Sequence, residues 1–345
     1  MKEKKRFLII LTTIILGIIL IGGISYIVDP YQQYRVPKFY KMVNLNSSAR
    51  FLNPGLIKNR DYQNIIVGSS MMENLDPKII KEKLSIYPLK QTFSGATPKE
   101  INILLNYTYS LKKVKNIIYG LDIIEYFGDK DKTKIQMPLY LYDNKIWNDY
   151  NYLLSFDTYR YMAIILLKNI KNNTIEIDDI YSWDKNLKYS KEEVLKSYKT
   201  IPKKIINFNE NKELLNRMLN NFYENTYSII KSDIEYTIIF PPYSILTYTN
   251  FEEIGTYLKF KEEIINRLLE LDNVRIFDFQ YLDKITFNLD NYKDFSHYSP
   301  KISNLLIEYI SQGKYEITSK EENFNNIEIL KKQIENYYNF QHKEM

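Results

Sequence analysis

The chain has 345 residues and a formal net charge of +5, and 45% of its residues are hydrophobic. This length suits one large domain or two small ones. Residues 1–6 carry most of the excess charge, so the remainder lacks the basic footprint of a nucleic-acid-binding protein. The absence of cysteine excludes disulfides and thiolate catalysis, and with only His297 and His342 a histidine-rich metal site is not expected.

The first predicted element is the apolar segment 7–28, whose 22 residues carry no charge. A helix of this length crosses a bilayer at about 1.5 Å per residue. Basic residues precede the segment, so the positive-inside rule places residues 1–6 in the cytoplasm and the chain after about residue 29 outside. A cleaved signal peptide is the alternative, but signal segments are shorter and Gly23-Ile24-Ser25 is a poor cleavage site. We therefore expect a retained single-pass anchor in the cell membrane and an extracellular domain.

The chain after the anchor divides into a connector and an alternating region. Residues 29–60 have no clear hydrophobic period and are expected to be a juxtamembrane connector packed on the domain. From residue 61 strand-like and helix-like segments alternate, which predicts crossover connections. The strand-like segments are apolar on both faces, as buried parallel strands are: 64–67, 89–93, 116–119, 236–240 and 274–277. The pattern predicts a three-layer α/β/α sandwich with a mostly parallel five-stranded sheet.

Several helix starts are marked by a capping residue followed by proline: Asp76-Pro77, Thr97-Pro98 and Ser299-Pro300. Amphipathic runs predict helices over about 98–112, 210–230 and 251–271, and another over about 324–340 in a C-terminal tail, 316–345. Between 128 and 231 the alternation lapses, and we predict a mostly helical insertion. Its role is either extra packing, which we favour, or a wall for a substrate.

Glycines lie one or two residues after three of the predicted strands, at Gly68, Gly95 and Gly120. Ligands bind at the carboxyl ends of parallel strands, where glycine lets backbone N–H groups approach a substrate. One such glycine would be an ordinary turn residue, but three of them in a glycine-poor chain favour a site. Neither G-x-G-x-x-G nor a P-loop motif is present, so nucleotide-binding folds of those types are not supported.

The turn Gly68-Ser69-Ser70 raises the question whether one serine is a nucleophile. A nucleophilic serine needs a base within hydrogen-bond reach, and the base needs an orienting acid. Asp294 and His297 lie three residues apart in one polar, aromatic loop and can supply both groups. His342 is a poorer candidate because it lies in a charged tail.

The order GSS, FSG and DxxH at the ends of a parallel sheet resembles the SGNH/GDSL hydrolase superfamily. It is most similar to the membrane-anchored acyltransferase branch, which includes proteins of teichoic-acid D-alanylation and alginate-type O-acetyltransferases. The resemblance covers about residues 60–315 and the anchor, and the VDPY sequence at 28–31 also resembles that branch. It implies an SGNH-type, flavodoxin-like catalytic domain over 61–315.

The resemblance also implies roles for individual residues. Ser70 matches the family's nucleophile, and Asp294 and His297 match its acid and base. The N–H groups of Ser70 and Gly95 match the oxyanion hole. No metal or other cofactor is implied.

One position departs from the family pattern. Many members carry asparagine in a Gly-x-Asn-Asp motif after the third strand, whereas this chain reads Gly120-Leu121-Asp122. A carboxylate donates to an oxyanion only when protonated, so Asp122 is either structural or a substrate-binding residue. Ser69 and Tyr243 are further candidates for substrate binding, although the Pro-Pro sequence before Tyr243 is equally typical of a rigid loop.

The expected function is transfer of an acetyl or D-alanyl group to a cell-surface polysaccharide or teichoic acid by a serine acyltransferase. The resemblance implies a multi-span membrane-bound O-acyltransferase as partner on the donor side. Two alternatives stay open. One is an esterase or deacetylase with the same triad, and the other is a non-catalytic assembly factor that binds polymer.

Overall fold

The computed structural model describes residues 2–44, 48–134, 137–183 and 187–343. Its strands are β1 (Asn64–Gly68), β2 (Leu89–Thr92), β3 (Asn116–Gly120), β4 (Glu235–Phe240), β5 (Val274–Asp278) and β6 (Glu316–Ile317). They form one sheet in the order β2-β1-β3-β4-β5-β6. The first five strands are parallel, and β6 pairs with β5 in the antiparallel direction. The mixed α/β class and a mostly parallel sheet are thus confirmed, with one more strand than expected. The two residues of β6 are too few to show a strand pattern in the sequence.

Helices precede, separate and follow the strands. They are α1 (Lys2–Val28), α2 (Ala49–Asn59), α3 (Pro77–Leu84), α4 (Pro98–Leu111), α5 (Tyr150–Leu153), α6 (Phe156–Ile170), α7 (Lys191–Lys199), α8 (Lys212–Asn225), α9 (Ile245–Tyr248), α10 (Ile254–Leu268), α11 (Asp283–Thr286), α12 (Pro300–Ser311) and α13 (Lys320–Lys343). The predicted starts of α3, α4 and α12 are observed, because the side chains of Asp76, Thr97 and Ser299 each accept a hydrogen bond from a backbone N–H of the first turn.

Helices cover the sheet in two packed groups. α3 packs against α12, and a second connected group joins α2, α4, α8, α10 and α13. The central strands β1 and β3 are buried along nearly their whole length. Because alternate side chains of a strand point to opposite faces, this burial requires cover on both sides of the sheet. Because the helices cover both faces of the sheet, a site can open only at the ends of the strands.

The apolar helix α1 is long and hydrophobic enough to cross a membrane, and none of its most apolar window is buried. It ends at Val28 and is followed by Asp29, a buried residue with φ of 49°. The Asp29 carboxylate accepts hydrogen bonds from the N–H groups of Gln33, Tyr34 and Arg35 and from the Tyr152 hydroxyl. Burial is the main cause that raises the pKa of Asp29. The VDPY segment is therefore a structural junction between α1 and the domain.

The connector 29–60 differs from expectation because it contains the helix α2. Pro54 lies inside this helix, and residues 52–57 are all buried. A helix buried all round shows no amphipathic period, and an internal proline normally argues against a helix. Both features conceal α2 in the sequence. The insertion at 128–231 contains α5 to α8, which one-turn helices and extended segments connect.

Candidate active site

The turn after β1 is sharp and presents Ser70 at the carboxyl edge of the sheet. Gly68 has φ of +144°, and a Cβ there would lie 2.7 Å from the Met72 side chain and 2.9 Å from the Gly120 carbonyl oxygen. A larger residue would therefore clash with the neighbouring strand. Ser69 then caps a one-turn helix, Ser70–Met72, by accepting a hydrogen bond from the Met71 N–H at 3.3 Å.

Ser70, His297 and Asp294 form a continuous hydrogen-bonded chain. Ser70 Oγ lies 2.8 Å from His297 Nε2. His297 Nδ1 lies 2.8 Å from Asp294 Oδ2 and 2.9 Å from Oδ1. Asp294 Oδ1 also accepts hydrogen bonds from the N–H groups of Ser296 and His297. The loop between β5 and α12 thus brings base and acid to the turn that carries the serine.

The charge of Asp294 fixes the arrangement of protons. Burial alone would raise its pKa, but the hydrogen bonds and charge of His297 outweigh that effect and hold the pKa below its ordinary value. An ionised carboxylate accepts the Nδ1–H of the ring. In the neutral imidazole Nε2 then carries the lone pair that faces Ser70 Oγ, as a general base requires.

The two backbone N–H groups that the resemblance assigns to an oxyanion hole lie in neighbouring loops at the same edge. Gly68 pairs with Thr92 of β2, and the Phe93 N–H donates to the Gly68 carbonyl at 3.1 Å, so the loops that carry Ser70 and Gly95 leave the sheet side by side. Within the described ranges, neither the Ser70 N–H nor the Gly95 N–H donates to a protein acceptor. Both remain open to a developing negative charge on a substrate.

Arg50 of α2 contacts the loop that carries Gly95. The sequence did not predict this contact. The Arg50 guanidinium donates to the carbonyls of Ser94 and Gly95 at 3.2 and 3.5 Å. The same group makes a two-pronged ion pair with Glu100 at 2.8 and 2.9 Å. The ion pair thus joins α2 to the first turn of α4, where the Glu100 side chain is completely buried, and the two carbonyl contacts join α2 to the Gly95 loop.

The residues considered for substrate binding contact one another instead. Asp122 accepts hydrogen bonds from Ser69 Oγ at 3.0 Å and from the Tyr243 hydroxyl. Ser69 and Tyr243 are 3% and 2% exposed. Burial raises the pKa of Asp122, and the two donors partly offset that rise. With both neighbours donating, Asp122 serves as an acceptor, which favours structural support of the Ser70 turn over contact with substrate or oxyanion.

The insertion brings Trp183 into contact with His297. The Trp183 ring meets the His297 ring edge to face, with centroids 5.2 Å apart. Trp183 Nε1 donates to Glu73 at 2.7 Å, its backbone N–H donates to Asn74 at 3.0 Å, and Lys293 Nζ lies 3.7 Å from the ring centroid. The insertion thus packs against the catalytic loop through Trp183, and a role as a substrate wall stays a prediction. The scarcity of tryptophan was the only signal in the sequence.

A buried lysine holds the Trp183 segment on the turn after β1. Lys90 Nζ donates to Ser182 Oγ at 2.7 Å and to the Glu73 carbonyl at 3.1 Å. Burial lowers the pKa of Lys90 to about 8 and raises that of Glu73. The position of Trp183 beside His297 thus depends on Lys90 and Glu73, two groups whose burial is unfavourable for their charged forms.

Glu125, in the one-turn helix after β3, gives a prediction on stability. Burial, followed by the charge of Asp122, raises its pKa from 4.5 to about 7. The folded state then binds a proton more tightly than the unfolded state, so this stabilisation is complete below pH 4.5 and is lost as pH rises through about 7. We expect the free energy of unfolding to fall between about pH 5 and pH 8, and to fall less in Glu125→Gln. Thermal unfolding of the full chain in detergent at both pH values measures this, and equal slopes in the two proteins would contradict it.

Comparisons with known proteins leave the family open. No family model matches the chain. The chain is similar to a protein of Acanthamoeba polyphaga mimivirus that is provisionally named as an ATP-dependent RNA helicase, with 25% identity over 263 residues. The match covers 69% of this chain and 52% of the viral protein, so the chain spans about half the length of that relative. The sequence lacks the P-loop motif that cradles ATP phosphates, and this weak likeness assigns no activity.

Proposed function

We propose that this protein is a membrane-anchored serine acyltransferase of the SGNH type that modifies a cell-surface polysaccharide or teichoic acid. The observation that supports the proposal is the unbroken chain from Ser70 through His297 to Asp294 at the carboxyl edge of a parallel sheet. The apolar helix α1 supports anchoring in a membrane, and the basic residues before it favour a domain on the outer side.

The geometry suggests a two-step transfer. Ser70 Oγ attacks the acyl carbonyl while His297 Nε2 takes its proton, and Asp294 stabilises the resulting imidazolium. The N–H groups of Ser70 and Gly95 stabilise the oxyanion of the tetrahedral intermediate. His297 then gives its proton to the leaving group, which departs and leaves an acyl ester on Ser70. In the second step His297 deprotonates an acceptor hydroxyl, which attacks this ester. His297 then returns the proton to Ser70 Oγ as the new ester leaves, which restores the free enzyme.

The acceptor decides between transfer and hydrolysis. With water as acceptor the same steps make the protein an esterase or deacetylase. We favour a sugar or polyol hydroxyl because a membrane anchor would suit a domain that receives acyl groups from a multi-span O-acyltransferase, the partner that the resemblance implies. A non-catalytic assembly factor has no need of a hydrogen-bonded Ser-His-Asp chain.

Labelling with a fluorophosphonate tests the proposal directly. This probe reacts with a serine activated by a base. We expect peptide mass analysis of the labelled full-length protein to place the adduct on Ser70, with no adduct in Ser70→Ala or His297→Ala. Incubation with an acetyl ester and soluble oligosaccharides then separates transfer, seen as acetylated oligosaccharide, from release of acetate. A folded protein that takes no label at Ser70 would favour the assembly factor.

Trp183 is predicted to position His297. Loss of the indole in Trp183→Leu should let the imidazole move, and displacements of about 1 Å can cost up to about a hundredfold in rate. We expect kcat for ester cleavage to fall about tenfold or more, with KM nearly unchanged and a shifted pH–rate profile. Trp147→Leu is the matched control, since that exposed indole lies outside the site. An unchanged kcat and pH profile in Trp183→Leu would refute the positioning role.

A further inference from the structure

A surface beside α1 is unusually apolar for a protein exterior. We call it the apolar rim, and it consists of Ile146, Trp147, Tyr150, Leu154 and Phe156. The exposed fractions of Ile146, Trp147 and Phe156 are 84%, 73% and 80%. The rim continues into a groove of about 440 Å³ that is lined on its other side by residues of α1, among them Ile18, Ile19 and Gly22. Contiguous exposed apolar surface of this kind marks an interaction site.

The helix α6, which follows the rim, carries apolar residues on two opposite faces. Tyr161, Met162 and Ile165 are buried against the domain. On the outer face Leu167 and Ile170 are 57% and 78% exposed. A helix on a water-facing surface normally has a polar outer face. Arg160 lies on the same outer face, seven residues before Leu167, and pairs with Asp157 at 3.5 Å. The outer face of α6 is therefore mixed, but it carries more exposed apolar surface than a water-facing helix normally does.

The contact between α1 and the rim determines how deep the rim lies in the bilayer. A Cβ placed on Gly22 would lie 3.5 Å from Leu154 Cδ2, so the two segments touch at this level. Gly22 lies about 22 Å along the helix from Phe7, and the hydrocarbon core of a bilayer is about 30 Å thick. If α1 spans the membrane from Phe7, Leu154 lies several ångströms below the outer boundary of that core. The rim cannot then avoid the lipid.

Aromatic and basic side chains at the rim match the chemistry of a bilayer interface. Lys145 Nζ lies 5.7 Å from the Trp147 ring, and the Arg35 guanidinium lies 4.3 Å from the ring of Tyr26 in α1. Tryptophan and tyrosine concentrate at the level of lipid headgroups, and basic side chains extend from there towards water. The apolar rim has both features on the side that faces α1.

We propose that the apolar rim and the outer face of α6 insert into the outer leaflet, as a second membrane contact besides α1. The occupant of this surface is the lipid bilayer. The inference rests on the membrane anchoring that is part of the proposed function, but not on catalysis. With two contacts the domain keeps one orientation relative to the bilayer, which a single helix would not impose.

The placement of tryptophans allows a direct test. The chain has only Trp147, at the rim, and Trp183, beside His297, and α1 has none. Full-length Trp183→Phe is reconstituted into phosphatidylcholine vesicles whose acyl chains carry bromine at shallow or deep positions. Interfacial side chains lie about 5–10 Å inside the headgroup boundary, so we expect shallow bromines to reduce Trp147 emission about twofold, and more than deep bromines do. Trp147→Phe, which retains Trp183, is the control and should be quenched by neither.

Two results would overturn the proposal. Quenching of Trp147 by aqueous iodide but not by brominated lipid would place the rim in water. Protection from both quenchers would show that protein, such as a second copy of this chain, covers it. If Trp183→Phe fails to fold, subtracting the emission of Trp147→Phe from that of the unmodified chain isolates the Trp147 signal. Because no step depends on Ser70, failure here is distinguishable from failure of the acyltransferase proposal.

Discussion

Replacement of Ser70 by alanine is expected to abolish acyl transfer and to leave the membrane level of folded protein nearly unchanged. The hydroxyl is the attacking group, and loss of a nucleophile from a catalytic triad costs about 10⁴–10⁶ in kcat. Its contribution to stability is small, because Ser70 is only half-buried and substitutions of this kind usually cost about 0.5 kcal/mol. The measurement is the acyl content of surface polymer in a deletion strain that expresses each variant, together with ester cleavage by the purified protein.

Other variants of the same site show whether the residues act as one unit. His297→Ala should be as inactive as Ser70→Ala, and the double variant should be no worse than either. Asp294→Asn should lose somewhat less. Ser69→Ala is the adjacent control and should be much milder, because Ser69 only ties the turn to Asp122 and to the Met71 N–H. Full activity in Ser70→Ala would favour an assembly factor over an enzyme. An inactive Ser69→Ala together with an active Ser70→Ala would show that Ser69 is the nucleophile.

The sheet could be predicted from the sequence because its strands carry a local signal. Buried parallel strands are short apolar runs, and each of the five lies within about one residue of its predicted bounds. The helix α2 carries no such signal, since burial on every side removes its period and Pro54 imitates a helix break. Local patterns fail where tertiary packing, not the segment's own periodicity, decides the structure.

The same distinction applies to the site. Asp294 and His297 lie three residues apart, and only one other histidine competes, so their pairing with a serine turn was predictable. Arg50 and Trp183 were not, because their partners Glu100 and Glu73 are 50 and 110 residues away in the chain. A side chain's type does not reveal such a partner.

Replacement of Arg50 by methionine is expected to give the largest loss of stability among substitutions near the site. Its partner Glu100 has a side chain that is 0% exposed, and Arg50 itself is 14% exposed. Breaking a buried ion pair by removing one partner costs about 3–5 kcal/mol, because the other charge is left without compensation. The same change releases the carbonyls of Ser94 and Gly95, so ester cleavage should also fall. Denaturant unfolding of the full chain in detergent, followed by near-ultraviolet circular dichroism, measures the free energy.

Arg275→Met provides the matched control within the same chain. Arg275 pairs with Glu316 at 2.6 Å with similar two-pronged geometry, but its side chain is 49% exposed. Exposed pairs contribute about 0–1 kcal/mol, so this variant should lose far less stability. Adding Glu100→Gln to Arg50→Met removes the unpaired charge, and part of the lost stability should return while activity stays low. The recovery is partial because Glu100 also accepts hydrogen bonds from the N–H groups of Thr97 and Lys134, one on each oxygen, and an amide can accept only one of them. Equal losses of stability in the two arginine variants would show that burial does not make the Arg50 pair important. Recovery of activity in the double variant would show that the site does not depend on the contact between Arg50 and the Gly95 loop.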